Sequence, residues 1–379
     1  MFEIEKLREN PALLKLELLA NGIRGSSNFD IRENEAQDKY FYDNAKDLRG
    51  KVPSELILPQ NVVVNLYNSQ DSPFSIQGRK LFLNQEEVSE VRYTPEASFS
   101  SATLTNGKPM SRVATMYGLD IFAIFLNRGC VLFKTGEECQ FCSLDNTRKT
   151  LGKANTVNPS LEEVTQTFKF ALTNDKALFN YVVVSSGAYP DPDKGLLEQM
   201  KYLNGMREVD QGKVKYHLVT VPPRSDELLR MLARKGPNNV AFDMELFDKE
   251  LFERYCPGKS RQIGHKGFLD IFDRSGKYFD KSVVKIGFVG GLEPLNSLVK
   301  GMEFVAQRGL VPTINIFHPD KGTALAEHPR PSSGYLLDLT REQMKIYRKY
   351  ELIPVFPEYG RRGSLDTEIH RGFFDNEFS

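Results

Sequence analysis

From about residue 118 to residue 330, short apolar runs alternate with stretches whose apolar residues recur at helical spacing. The strand-like runs are 120–126, 181–185, 214–219, 240–244, 283–289 and 312–317. Nearly every position in them is apolar, as expected of strands covered on both faces. Between them lie amphipathic stretches at 161–172, 194–208, 226–234, 249–255 with 265–274, and 295–308. Start signals support these helices: Ser160 with Glu163 three residues on is a capping-box pattern, and Ser225 precedes Asp226-Glu227. Arg308-Gly309 and Lys235-Gly236-Pro237 supply stops. Six β/α units in a row predict a parallel sheet with right-handed crossovers. Periodicity alone leaves an open doubly wound sheet and a partial barrel both standing. In either, ligands gather at the carboxyl ends of the strands.

The flanks read differently. Residues 3–20 have helical spacing, with Leu13, Leu14, Leu16, Leu18 and Leu19 crowding one side. Short β-like segments follow at 54–59, 61–68, 73–78, 80–84 and 90–95. After residue 330 a loop leads to a helix at 340–350, and the polar tail from Arg361 is expected to fray. The expected organisation is 1–115 as an N-terminal helix plus a β-rich substrate or cap region, 116–330 as the β/α core, and 331–379 as a C-terminal helix and tail.

The candidate chemistry sits just after the first strand-like run. Cys130, Cys139 and Cys142 fall within RGCVLFKTGEECQFCSLD, and the chain has only one further cysteine, Cys256. A 379-residue chain opening MFEIEKLREN, with no signal-peptide pattern, does not suggest a disulfide framework. Three thiolates in one loop suit an iron–sulfur cluster or a zinc ion. A structural zinc needs a fourth ligand, and the next cysteine or histidine residues, His217 and Cys256, are far along the chain. Lys plus Arg balances Asp plus Glu at 50 each, which removes the electrostatic case for a nucleic-acid or membrane-surface partner. No apolar run approaches the ~20 residues of a membrane span. Unpaired cysteines fit a reducing cytoplasm.

The cysteine loop, Phe141 just before its last cysteine, and the six β/α units together resemble the radical S-adenosylmethionine (SAM) superfamily over about residues 118–330, with the C-terminal signature closest to the biotin-synthase-like branch. The family's usual first cysteine interval is three residues; here it is eight, giving C-x8-C-x2-C. The resemblance implies an α/β fold, a partial (β/α)6 TIM-type barrel with an N-terminal helical and β-rich extension and a short C-terminal extension. It implies an oxygen-sensitive enzyme carrying a [4Fe-4S] cluster on Cys130, Cys139 and Cys142. Such a cluster cleaves S-adenosyl-L-methionine reductively to a 5′-deoxyadenosyl radical, which abstracts hydrogen from a small-molecule substrate. Flavodoxin or ferredoxin is the kind of reductant implied; nucleic acid and membrane are not expected partners.

Residue by residue, the resemblance carries Ser186 and Gly187 over as backbone contacts to the cofactor only, from the glycine motif after the second strand, whose acid is displaced here. Gly290, Gly291 and Glu293 carry over from the motif ending the fifth strand. His318 lies at the head of a P-x-x-G-T-like loop, and Tyr189 beside the second. Arg224 is a candidate for the methionine carboxylate and Glu245 for ribose or carboxylate. Cys256 is a candidate hydrogen-atom donor or second-cluster ligand, and Lys259 and Arg261 are candidates for an anionic substrate group. Rearrangement, C–C cleavage or ligation, epimerisation and dehydrogenation are the expected reaction classes. Sulfur insertion of the lipoyl- or biotin-synthase type is an alternative, as is a zinc-binding structural or interaction protein.

Overall fold

The computed structural model of the chain describes residues 2–25, 52–146 and 158–378. Two short helices open it, α1 (Ile4–Glu9) and α2 (Pro11–Asn21). The single helix expected here is broken because Asn10 caps α2, its side chain accepting from the Ala12 and Leu13 amides ahead of Pro11. Helix α2 is buried almost all round, including Lys15 and Glu17. Then come a hairpin, β1 (Glu55–Leu58) and β2 (Val62–Asn65), and a three-stranded sheet of β3 (Phe74–Gln77), β4 (Lys80–Leu83) and β5 (Glu86–Glu90).

The core sheet has seven strands: β6 (Ala114–Tyr117), β7 (Ile121–Phe125), β8 (Tyr181–Ser185), β9 (Lys215–Thr220), β10 (Asn239–Glu245), β11 (Val284–Gly290) and β12 (Val311–Ile316). Six run parallel in strict sequence order from β7 to β12, and β6 adds to β7 antiparallel. A doubly wound sheet reverses its strand order at a switch point. This one never reverses, so its crossovers wind one way, and the fold is a partial (β/α)6 TIM-type barrel. Its helices are α3 (Val131–Thr135), α4 (Leu161–Asn174), α5 (Pro192–Asp210), α6 (Asp226–Lys235), α7 (Lys249–Tyr255), α8 (Pro257–Gln262), α9 (His265–Tyr278) and α10 (Leu295–Ala306). The capping box forms at Ser160–Glu163, and Ser225 caps α6 through the Leu228 amide. The chain ends with α11 (Ser333–Tyr350) and α12 (Asp366–His370). Among the described residues no helix is long and apolar enough to cross a membrane.

The C-terminal tail does not fray. Val355 and Phe356 pack against Ile121 and Tyr181 at the amino ends of β7 and β8. The chain then follows the free edge of β12, where the Ile316 amide donates to the Gly363 carbonyl at 2.9 Å. The Asn65 amide of β2 donates to the neighbouring Arg362 carbonyl at 2.8 Å. On the opposite sheet edge, Gly118 beside β6 donates to the Glu55 carboxylate of β1. Tail and hairpin thus span the gap that six strands leave in a barrel. A fully buried ion pair, Lys15–Glu368 at 2.9 Å, ties α2 to α12.

Asp120, at the amino end of β7, is 2% exposed, and neither carboxylate oxygen has a hydrogen-bond partner among the described residues. Burial, and then the charge of Glu358, push it up to about 7. Its folded value therefore lies above its unfolded one, so stability falls as pH rises from about 4 to 7 and then levels. Asp120→Asn is expected to abolish that slope, leaving the variant more stable than the parent at pH 8 and equal to it near pH 4. Chemical denaturation at the two pH values checks this; an equal loss at both would remove the titration from the explanation.

Candidate metal and cofactor site

The loop after β7 begins with Asn127, whose amide side chain donates to the Gly187 and Ala188 carbonyls at 3.1 and 3.0 Å. The backbone answers in kind: Gly187 N–H donates to the Asn127 carbonyl at 3.0 Å, and Val131 N–H to the Ala188 carbonyl at 2.9 Å. The loops after β7 and β8 are therefore zipped together beside Cys130. Gly187 makes this possible, because a Cβ there would stand 2.6 Å from the Cys130 Cβ and 2.8 Å from the Asn127 carbonyl oxygen.

The long first cysteine interval has a physical form. Cys130 leads into α3, Gly136 ends it in the left-handed region at φ 67°, and the chain turns through Glu137 to Cys139. A tight turn, Cys142 N–H to the Cys139 carbonyl at 2.9 Å, closes the second interval. A helix absorbs residues without moving the cysteines far apart. All three cysteines, each free of disulfide, line one cavity of about 230 Å³ at the carboxyl ends of the strands. Burial raises the Cys130 and Cys142 thiols above their ordinary range, so a bare site holds them protonated and a bound cation would draw the protons off.

Phe141, Ser186, Gly187 and Glu245 share this cavity with the cysteines. Its remaining wall is mostly apolar, including Phe125, Leu132, Phe133, Leu144, Val219 and Val221. The polar exception is a trio of Asp243, Glu245 and Lys259. Lys259 Nζ donates to the Glu245 carboxylate at 2.5 Å and to the Asp243 carbonyl at 2.6 Å. A register shift in β10 between Asp243 and Glu245 places Glu245 at φ 82°, a conformation non-glycine residues adopt only when held. Burial raises Glu245, with Lys259 working the other way, while Lys259 is held charged chiefly by Glu245 against the cost of its burial. Lys259 thus serves a neighbouring carboxylate, and Arg261 pairs with Glu137 of the cysteine loop.

The structure leaves the other predicted residues outside the cavity lining. Tyr189 packs its ring against Gly195, whose Cβ would come 2.7 Å from it. Arg224 is exposed, its amide donating to Asp193. Gly290 faces Ile314 and Leu339, and Gly291 faces Pro331. Glu293 accepts from the Phe247 and Asp248 amides, both at 2.9 Å, and so fixes the turn into α7. His318 stacks on Tyr67 at 3.7 Å and bonds Asp320. Cys256 is fully buried behind the loop against Cys139, at the start of a short helix. His217 is a core residue, pushed down to about 3 by burial and then by Arg361 and Lys285. Sequence reasoning passed over Gly287, where a Cβ would stand 2.0 Å from the Asp243 carboxylate. A glycine inside an otherwise apolar strand was the available signal.

No family model matches the chain. A curated protein, bacteriochlorophyllide c C-7(1)-hydroxylase from Chlorobaculum limnaeum, is 25% identical over 271 residues, 67% of this chain. The match spans 66% of that protein's length, just under two thirds. Solved structures similar to it include methylornithine synthase (17% identity, TM-score 0.43, covering 62% of this chain and 64% of that one). A radical SAM methyltransferase from Sphaerobacter thermophilus gives 14% identity and a TM-score of 0.41, covering 63% of this chain and 66% of that one. In this chain three thiols line one cavity beside a loop kept close by a glycine, and among the described residues no three His, Cys, Asp or Glu side chains are already grouped to hold a metal ion.

Proposed function

We propose that the chain is a radical SAM enzyme of the biotin-synthase-like branch acting on a small molecule, with Cys130, Cys139 and Cys142 holding a [4Fe-4S] cluster. The observation that carries this is the meeting of all three cysteines with Phe141, Ser186, Gly187 and Glu245 in one cavity at the carboxyl mouth of the barrel. When bound, the cluster and S-adenosyl-L-methionine supply reductive C5′–S cleavage and a carbon radical that abstracts hydrogen. Ser186, the Gly187 backbone and Glu245 would hold the cofactor's polar groups, and Lys259, donating to the Glu245 carboxylate, fixes its position. The apolar wall from Phe125 to Val221 would exclude water and other hydrogen donors. The cited relative's name describes a hydroxylation, which adds that class to the reactions expected from the sequence. A flavodoxin- or ferredoxin-like reductant in a reducing cytoplasm would supply the electron.

The test is anaerobic reconstitution of the full chain with iron and sulfide. The expected product is brown, with broad visible absorption, and yields 5′-deoxyadenosine and methionine on adding S-adenosyl-L-methionine and dithionite. A colourless protein that takes up zinc instead would overturn the proposal.

A further inference from the structure

The two cations that the sequence offered for an anionic group are both engaged by carboxylates of this chain, Lys259 by Glu245 and Arg261 by Glu137. Arg330 is a third cation at the same end of the barrel. It closes the loop that His318 opens after β12, and the next residue, Pro331, packs over Gly291 after β11. Between these ends the loop meets the cysteine segment, where the Leu325 amide donates to the Gln140 carbonyl at 3.3 Å. Arg330 is half-buried, and its Nη1 is fully buried without a hydrogen-bond partner. Arg362 and Arg371 also bury an unbonded Nη1, but Arg362 has the Glu55 carboxylate at 3.7 Å and Arg371 donates through Nη2 to the Gln60 carbonyl. Among the described residues Arg330 has neither an ion pair nor a hydrogen bond. Asp320, an acid whose charge it feels, bonds His318 at 2.6 Å instead.

The surroundings leave room for this guanidinium and hold it. Gly22, at φ 66° just past α2, lies against it; a Cβ there would stand 2.3 Å from Nη1 and 2.6 Å from the Tyr67 carbonyl oxygen. The Tyr67 ring, 5.7 Å from the guanidinium carbon, stacks on His318 with ring centres 3.7 Å apart. An arginine stays charged in such a place, and a half-buried charge with no acceptor costs stability that packing does not return. Of its three nitrogens Nη1 is the buried one, which leaves the Nε–Nη2 edge, a two-donor fork that matches an oxyanion. We propose that Arg330 is a specificity-determining residue that binds an oxyanion of the substrate, a carboxylate or a phosphate, across that edge, with Tyr67 and His318 as an aromatic wall beside it. The inference rests on the small-molecule reading above and narrows the substrate to an anionic one. It also gives the N-terminal region a part in the site, because the end of α2 and Tyr67 after β2 form two sides of this corner.

The experiment is thermal denaturation of the full chain in sodium phosphate, sodium acetate and sodium chloride at matched ionic strength. Against chloride, the parent's melting temperature should rise by about 2 °C at about ten times the Kd of the anion the site takes. A response to phosphate alone assigns a phosphate, a response to acetate alone a carboxylate, and a response to both an oxyanion of either kind. Arg330→Met keeps an apolar stem and removes the unpaired charge. It should melt no lower than the parent in chloride and respond to neither anion. A parent that shifts with neither anion overturns the proposal. So does an equal shift in Arg330→Met, which marks a general effect of the salt on protein surfaces. An Arg330→Met protein that melts well below the parent in chloride overturns it too, because the arginine would then be a packing element. These melts need no cluster, so a flat response fails this proposal alone, whereas a chain that stays colourless on reconstitution fails the reading it rests on.

Discussion

Cys130→Ala, Cys139→Ala and Cys142→Ala are each expected to lose the broad visible absorption of the reconstituted protein and reduce S-adenosyl-L-methionine cleavage to background. The three thiols line one cavity, and among the described residues the one remaining cysteine, Cys256, lies outside that lining. An iron left with no thiolate has no protein replacement, so the effect should be all-or-none and not graded. Cys130 is the decisive member, because it alone stands on the far side of the eight-residue interval. Helix α3 and the Gly136 turn bring the chain back to Cys139 in the same wall. Iron content measured after desalting separates the outcomes: a Cys130→Ala protein with parent iron content would show that this cysteine is packing and not a ligand. Circular dichroism should stay near the parent trace in all three, since each change removes one sulfur from a cavity wall.

The core of this result was legible before any coordinates. Strands buried on both faces declare themselves as apolar runs, and Ser160 and Ser225 announce helices through local hydrogen bonds, so the six β/α units lie within about a residue or two of the expected positions, except that α9 runs on to Tyr278 beyond the expected 274. The cysteine loop's place at a strand end follows from the same order. What failed to show depends on partners distant in the chain. The tail from Arg361 reads as solvated because it is polar, yet Glu368 is buried against Lys15 and Arg361 donates to Asn315. Strand β6 carries no alternation of its own and exists by pairing with β7. Glu293 ends a glycine-rich strand terminus as the resemblance requires, but two backbone amides of the adjacent loop claim its carboxylate. Cys256 is far from the cysteine loop by chain and against it in space, because the helices after β10 fold back over that loop.

The second large effect falls on a residue with no side chain. Gly187→Ala is expected to yield a folded protein that retains only a small fraction of the parent's cluster, roughly a tenth, from a misfit of about 1–3 kcal/mol. The added Cβ would meet the Cβ and Cα of Cys130 at 2.6 and 2.9 Å and the Asn127 carbonyl at 2.8 Å. None of these atoms is the far end of a flexible side chain, so relief requires the loops after β7 and β8 to part. Parting them breaks the Gly187–Asn127 and Val131–Ala188 backbone bonds and swings Cys130 out of the wall it shares with Cys139 and Cys142. Gly334→Ala is the matched control, since the nearest atom to its new Cβ is the Ser332 hydroxyl at 3.9 Å. Gly290→Ala gives the contrasting case: its Cβ would press on Ile314 and Leu339, so it should lower the melting temperature while leaving iron per folded molecule unchanged. Iron content and thermal denaturation, measured side by side on the three variants, decide the matter. Full iron in Gly187→Ala would mean the two loops have slack that the backbone bonds between them conceal. Iron lost equally from Gly290→Ala would place the cause in general destabilisation rather than at Cys130.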